Sequence, residues 1–278
     1  MSTSRRGFLG GAIGAGLAPA FAEPPEPGVE PQAGFKLGVA SYSFREFSRR
    51  IAIRMTKRLN VSYINIKDVH LPLNASAKDI DKARKQFKDA GLTVLGGGNI
   101  SFQKDDEADI RAKFEYARAA GMPLIVCAPT AATLPKMEKY VKEFDIKIAV
   151  HNHGPEDKHF PTPQSVLAIV KNMDPRCGLC IDVGHTARTG VDVVAAIREA
   201  GPRLLDMHMK DLSDFSRNEA RVPVGDGRMP VVAIFRELRK MNYQGGVMLE
   251  YEVDEDDPVP AMDRSFGYMR GVLAALET

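Results

Sequence analysis

The chain predicts a single-domain α/β fold, an eight-stranded (β/α)8 barrel. Three observations lead there. From Phe35 onward, short apolar runs alternate with amphipathic helical patterns. Eight such runs, each followed by a helical stretch, occupy roughly 245 residues, the usual size of this barrel. Histidines and acids gather where the runs end, the face on which such barrels carry their chemistry. A doubly wound sheet would place a phosphate-binding glycine fingerprint after its first strand. Gly96-Gly97-Gly98-Asn99 follows the third run and lacks that spacing.

The first 33 residues read as something other than fold. Ser4-Arg5-Arg6-Gly7-Phe8-Leu9 is a basic start, GGAIGAGLAPA a mild apolar run, and Ala20-Phe21-Ala22 a small-residue cleavage site. The paired arginines followed by Phe-Leu resemble a twin-arginine signal. Residues 1–22 are therefore expected to be an export signal removed after Ala22. That implies the twin-arginine export machinery as a partner and a periplasmic location. Residues 23–33 (EPPEPGVEPQA) are Pro-rich and read as an extended linker, leaving 34–278 for the barrel.

The predicted strands fall at 37–41, 63–67, 93–97, 124–128, 147–152, 178–182, 204–209 and 246–251. Residues 77–90 and 106–120 are the clearest helices, with apolar positions at helical spacing. Gly91 and Gly121 stand where C-terminal cap glycines belong, and Pro163 suits a first helical turn. Later helices are expected at 191–200, 230–241 and 262–276.

Composition narrows the function. The 278 residues are 44% hydrophobic, enough for a sizeable core. A net charge of +2 with scattered Lys and Arg leaves no footprint for nucleic acid. No apolar run reaches the ~18 residues of a spanning helix, so no stable membrane insertion is expected. Three cysteines make no disulfide framework. Cys177 and Cys180 lie on an extended run, roughly 10 Å apart and facing opposite ways, too far for a disulfide. Oligomeric state is open, a homo-oligomer included.

Five of the six histidines, His70, His151, His153, His185 and His208, lie at or just past a predicted strand end. Asp182, Asp211, Glu250 and Glu252 do likewise. Asp182, His208 and Glu250 end three late strands, with His151 or His153 on the fifth; the latter two share a face because strand period is two. Such a mixed nitrogen and oxygen set suits Mn²⁺, Fe²⁺, Co²⁺ or Zn²⁺ better than Ca²⁺. His185 lies past its strand and is expected to face substrate. Lys210 and Asp211 suit a sugar hydroxyl or oxyanion. Lys67, His70, Asn99 and Glu252 are further substrate-binding candidates. Tyr42 and Phe44 form either an apolar wall or core.

Asp182-x-x-His185, His208-Met-Lys210-Asp211, the strand-terminal Glu250 and Val224-Gly-Asp-Gly227 resemble the sugar phosphate isomerase/epimerase superfamily with its xylose isomerase-like TIM barrel. The resemblance covers most of residues 35–278. It implies one divalent ion, Mn²⁺ foremost, held by Glu, Asp, His and Glu. Asp182, His208 and Glu250 match the last three ligands. His151-Asn152-His153 stands where many members read Glu-Asn-His, so His151 takes the first place. The implied chemistry is proton abstraction beside a metal-bound carbonyl or hydroxyl, through an enediolate. Glu250 is then the base, with His153, His185 or Lys67 as partners. The expected activity is isomerisation or epimerisation of a carbohydrate that export makes non-phosphorylated. The alternatives are a lyase or hydratase acting on a keto-sugar or 3-keto-glycoside, and a non-catalytic sugar-binding barrel. The related barrel endonuclease for damaged DNA needs more ligands than six histidines and no basic patch supply.

Overall fold

The structure, a computed structural model, describes Met1 and residues 34–277. The expected export signal and linker lie outside the described residues. Eight parallel strands close into a barrel: β1 (Lys36–Ala40), β2 (Tyr63–Ile66), β3 (Thr93–Phe102), β4 (Leu124–Pro129), β5 (Lys147–His151), β6 (Cys177–Asp182), β7 (Leu204–Met209) and β10 (Gly246–Leu249). Around the ring they run β1-β10-β7-β6-β5-β4-β3-β2. Between β7 and β10 sits a small antiparallel pair, β8 (Asp211–Leu212) and β9 (Arg221–Val222), which the periodicity did not predict.

The outer layer is helical: α1 (Arg49–Arg58), α2 (Ala77–Asp89), α3 (Glu107–Ala120), α4 (Leu134–Phe144), α5 (Pro163–Val170), α6 (Val183–Arg188), α7 (Val193–Ala200), α8 (Val231–Lys240) and α9 (Val259–Glu277). Local chemistry starts and stops them. Ser76 and Asp106 cap α2 and α3 by accepting backbone N–H bonds. Thr162 and Ser165 cap each other across Pro163 at the start of α5. Gly121 ends α3 at φ 73°, a left-handed turn that suits glycine. Among the described residues no helix is long and apolar enough to cross a membrane.

Strand alternation divides the core into two layers. Ile125, Cys127, Ile148, Val150, Leu179, Ile181, Met207 and Leu249 pack outward among the helices. Leu124, Val126, Ala149 and Cys180 form a smaller cluster on the opposite faces of their strands, with Leu205 packed against it. The parity of that inner cluster carries upward. Ala149 leads to His151, and Cys180 to Asp182, two residues later on the same face. Register then sets them side by side: Asp182 pairs with His208, and His151 pairs with Cys180. All three cysteines are buried and free, as their spacing implies.

Candidate metal centre and substrate pocket

Four side chains on four strand ends converge. His151 closes β5, Asp182 closes β6, His208 lies near the end of β7, and Glu250 follows β10. Each offers one ligand atom, and these atoms lie within 4.8 Å of one another. His151 Nε2 stands 3.1 Å from His208 Nδ1 and 3.5 Å from Asp182 Oδ2. His208 Nδ1 is 3.2 Å from Glu250 Oε2. His151, Asp182 and His208 are almost wholly removed from solvent. Among the described residues Asp182 Oδ2 is buried without a hydrogen bond and is met by the Lys210 ammonium at 3.1 Å. A dry, converging set of imidazole nitrogens and carboxylate oxygens is what a divalent cation satisfies. The residues therefore fit the ion that the sequence implied.

Asp182 has two tasks. Its Oδ1 accepts the N–H of His185 at 2.8 Å and so caps α6, while Oδ2 points at the cluster. Asn152 fixes it: Oδ1 of Asn152 accepts the Asp182 N–H at 3.1 Å, and its Nδ2 donates to Thr186 Oγ1 at 3.0 Å. Lys210 stands beside the cluster. Its ammonium lies 2.7 Å from Glu250 Oε2, 2.8 Å from Glu252 Oε2 and 3.1 Å from Asp182 Oδ2. Arg221 adds a second cation to Glu252 at 3.0 Å.

These contacts decide the charge states. Burial alone would raise the Asp182 carboxyl, but Lys210 and the nearby imidazoles outweigh it and hold Asp182 well below the ordinary carboxylate range. Glu250 behaves alike: burial opposes ionisation, and His208 with Lys210 overcomes it. Burial lowers His151 to about 4 and His185 to about 3. The carboxylates around Lys210 override its burial and keep it a cation. Deeper in the barrel, burial pushes Asp206 up to about 7; its Oδ2 accepts from Asn65 Nδ2 at 2.7 Å.

Above the cluster opens a cavity of about 260 Å³. Lys67, Asn99, His153, His185, Lys210 and Glu252, all candidates from the sequence, line it. Lys67 Nζ donates to the Asn99 carbonyl at 3.1 Å and lies 5.7 Å from the Tyr42 ring centroid. Asn99 Oδ1 is a buried acceptor without a partner among the described residues. Tyr42 is part of the wall, whereas Phe44 is core.

Two expected residues lie elsewhere. His70 does not reach the cavity. Its Nδ1 meets Ser41 Oγ at 2.8 Å and its Nε2 meets the carbonyls of Phe47 and Phe44 at 3.1 and 3.2 Å. Ser41 Oγ also accepts the Lys67 N–H, so His70 braces the strand end that presents Lys67. Asp211 is likewise turned away from substrate. Its two oxygens accept N–H bonds from Leu212, Gly225, Gly227 and Met229, fastening the Val224-Gly-Asp-Gly227 loop.

Sequence reasoning missed Ser101 and Ala128, which line the cavity. Ser101 lies past the expected strand end at Gly97, because the glycine run hides the alternation that Ile100 and Phe102 continue in β3. Arg188 and Arg221 carried no signal, since both lie on elements that periodicity did not reveal.

A family model described as the xylose isomerase-like TIM barrel matches residues 53–272. An inosose dehydratase of Mesomycoplasma hyopneumoniae (strain 7448) is 27% identical over 165 residues, 52% of this chain and 54% of that protein. The matched stretch thus spans about half the length of that relative. Among solved structures, D-psicose 3-epimerase with D-tagatose from Clostridium cellulolyticum H10 superposes with a TM-score of 0.70 at 18% identity, covering 86% of this chain and 99% of that one. The IOLI protein with a binding zinc atom gives 0.72 at 18% identity, covering 87% and 99%. At these identities the structural likenesses speak to fold.

Proposed function

The chain belongs to the xylose isomerase-like TIM-barrel family, and from that premise we propose a divalent-metal-dependent enzyme that removes a proton next to a carbonyl of a non-phosphorylated carbohydrate. The observation that carries this reading is the convergence of His151, Asp182, His208 and Glu250 beneath a polar cavity. Those four residues would hold the ion, which supplies a fixed positive charge against negative charge developing on a substrate oxygen. Everything else falls to the chain itself. Glu250 is ionised and lines the cavity, so it accepts the proton. Lys210 and Arg221 pair with Glu252 and fix its side chain at the cavity wall, where its oxygens receive substrate hydroxyls. Lys67 donates from the opposite wall, and Asn99 Oδ1 accepts.

Elimination of a β-substituent, a lyase or dehydratase reaction, is the outcome these residues favour. With His151 at the first ligand position, Glu250 is the one ligand carboxylate that lines the cavity. Epimerisation needs a second group to return the proton on the other face. The likeness to inosose dehydratase supports the same choice. Isomerisation or epimerisation is the second reading, favoured by His153. It lines the cavity, is exposed and has no side-chain hydrogen bond among the described residues, so its ring can turn to the substrate face that Glu250 does not reach.

Incubation of the Mn²⁺-loaded protein with 3-keto-glycosides and with free ketoses in D₂O, followed by NMR, separates these outcomes. Release of water or aglycone supports the lyase. Deuterium incorporation without a leaving group supports the epimerase. No change in either substrate, with metal restored, leaves a sugar-binding barrel. The export reading of residues 1–22 places the enzyme in the periplasm, and an N-terminus beginning at Glu23 on protein recovered there tests it.

A further inference from the structure

His185 lines the cavity beside His153, at 4.8 Å between ring centroids. Its Nδ1 meets Arg188 Nη1 at 3.4 Å, beside Gly154, and neither Arg188 nor Gly154 is among the residues that line the cavity. A guanidinium nitrogen only donates, so His185 Nδ1 must be the acceptor. A proton on Nδ1 would set two donors against each other. The ring therefore carries its proton on Nε2, across from Arg188.

Arg188 is held firmly enough to enforce this. Its side chain is 7% exposed and paired with Glu156, and Nη1 also donates to Asn218 Oδ1 at 3.1 Å. Gly154 leaves room for the contact. A Cβ there would lie 3.1 Å from His185 Nδ1 and 3.4 Å from Arg188 Nη1, and its φ of +82° disfavours any side chain.

We propose that Arg188 is a positioning residue: it consumes the lone pair of His185 and leaves its Nε2–H as a fixed donor to the substrate oxygen that gains negative charge. His185 is then not a base. It acts as a neutral imidazole that polarises a carbonyl or stabilises an oxyanion, and proton removal falls to Glu250. This deepens the reading of the cavity as the substrate site and rests on it.

The test uses Zn²⁺-loaded, ¹⁵N-histidine-labelled protein, with His185 assigned by its loss in His185→Gln. Long-range ¹H–¹⁵N correlation spectra should show an unprotonated Nδ1 and a protonated Nε2 at His185. Arg188→Met should give mixed tautomers, and Arg188→Lys, which restores a donor, should recover the wild-type pattern. A protonated Nδ1 in the wild type would overturn the proposal even if the Met variant failed to fold. So would an unchanged tautomer in a folded Arg188→Met protein. With 3-keto-glycoside as probe, kcat of Arg188→Met should fall at least about tenfold with KM nearly constant, as expected for a wrong tautomer. An unaltered kcat would refute the catalytic half. The spectra need no turnover, so a wild type inactive on this probe would count against the proposed reaction and leave the tautomer result standing.

Discussion

At the scale of single residues, His151 is where this chain departs from the pattern it resembles. It was legible because strand parity sets His151 above Ala149, on the face opposite the outward-packing Ile148 and Val150. Its companion His153, two residues on, lies past the end of β5, where parity no longer fixes direction. The same limit explains His70. It stands four residues after the end of β2, and only the fold reveals that both ring nitrogens are taken by Ser41, Phe44 and Phe47. His151→Ala tests the ligand role. Loss of an outer partner of a metal ligand typically weakens metal affinity about 10–100-fold. Loss of a ligand itself should exceed that, so Mn²⁺ affinity by calorimetry should fall more than about 100-fold. Full metal content in the purified variant would return the role to His153.

Elements explain how the site stays aligned, and here the sequence was less legible. The barrel strands stood out because they are buried on both faces and so read as short, largely apolar runs. The β8–β9 pair is two residues long in each strand, too short to show a period, and α6 begins within a strand-terminal motif. What holds these pieces is Asp211. It satisfies four backbone N–H groups, and each orphaned buried donor costs about 1–3 kcal/mol. Allowing for water reaching some of them, Asp211→Ala should lose at least ~2 kcal/mol, a fall in Tm of roughly 4–8 °C for a domain this size. A thermal melt within 1 °C or so of wild type would show that the loop holds itself. A second fastening lies at the opposite end of β6. The Arg176 side chain, and then its backbone N–H, hold the Asp174 carboxyl well below the ordinary carboxylate range. A folded value below the unfolded one stabilises at neutral pH, and the contribution fades as pH falls from about 4 downward. Wild type should therefore exceed Asp174→Asn in denaturant midpoint at pH 7, and the difference should shrink steadily as pH falls below about 4. Parallel curves across that range would rule the linkage out.

For the whole molecule, the fold was legible because several levels of the sequence agree. Eight apolar runs, helix caps between them and polar residues at one end admit few architectures other than a closed barrel. Closure also gives the site a mechanical meaning. Its four candidate ligands come from β5, β6, β7 and the end of β10, four consecutive staves of the ring. An ion that engages all four binds only the closed barrel, since an unfolded chain scatters residues 151, 182, 208 and 250. Binding to the native state alone adds stability by mass action, about 2.7 kcal/mol when free ion is 100 times its dissociation constant. Thermal unfolding should therefore respond to metal as well as activity does. Stripping with EDTA and dialysis should lower Tm, and titration with Mn²⁺ should raise it in a concentration-dependent way. Asp182→Asn should abolish that rise, because it removes charge from the most buried ligand while leaving an amide oxygen able to cap α6. Restored activity without any movement of Tm would place the ion on substrate rather than on these four strands.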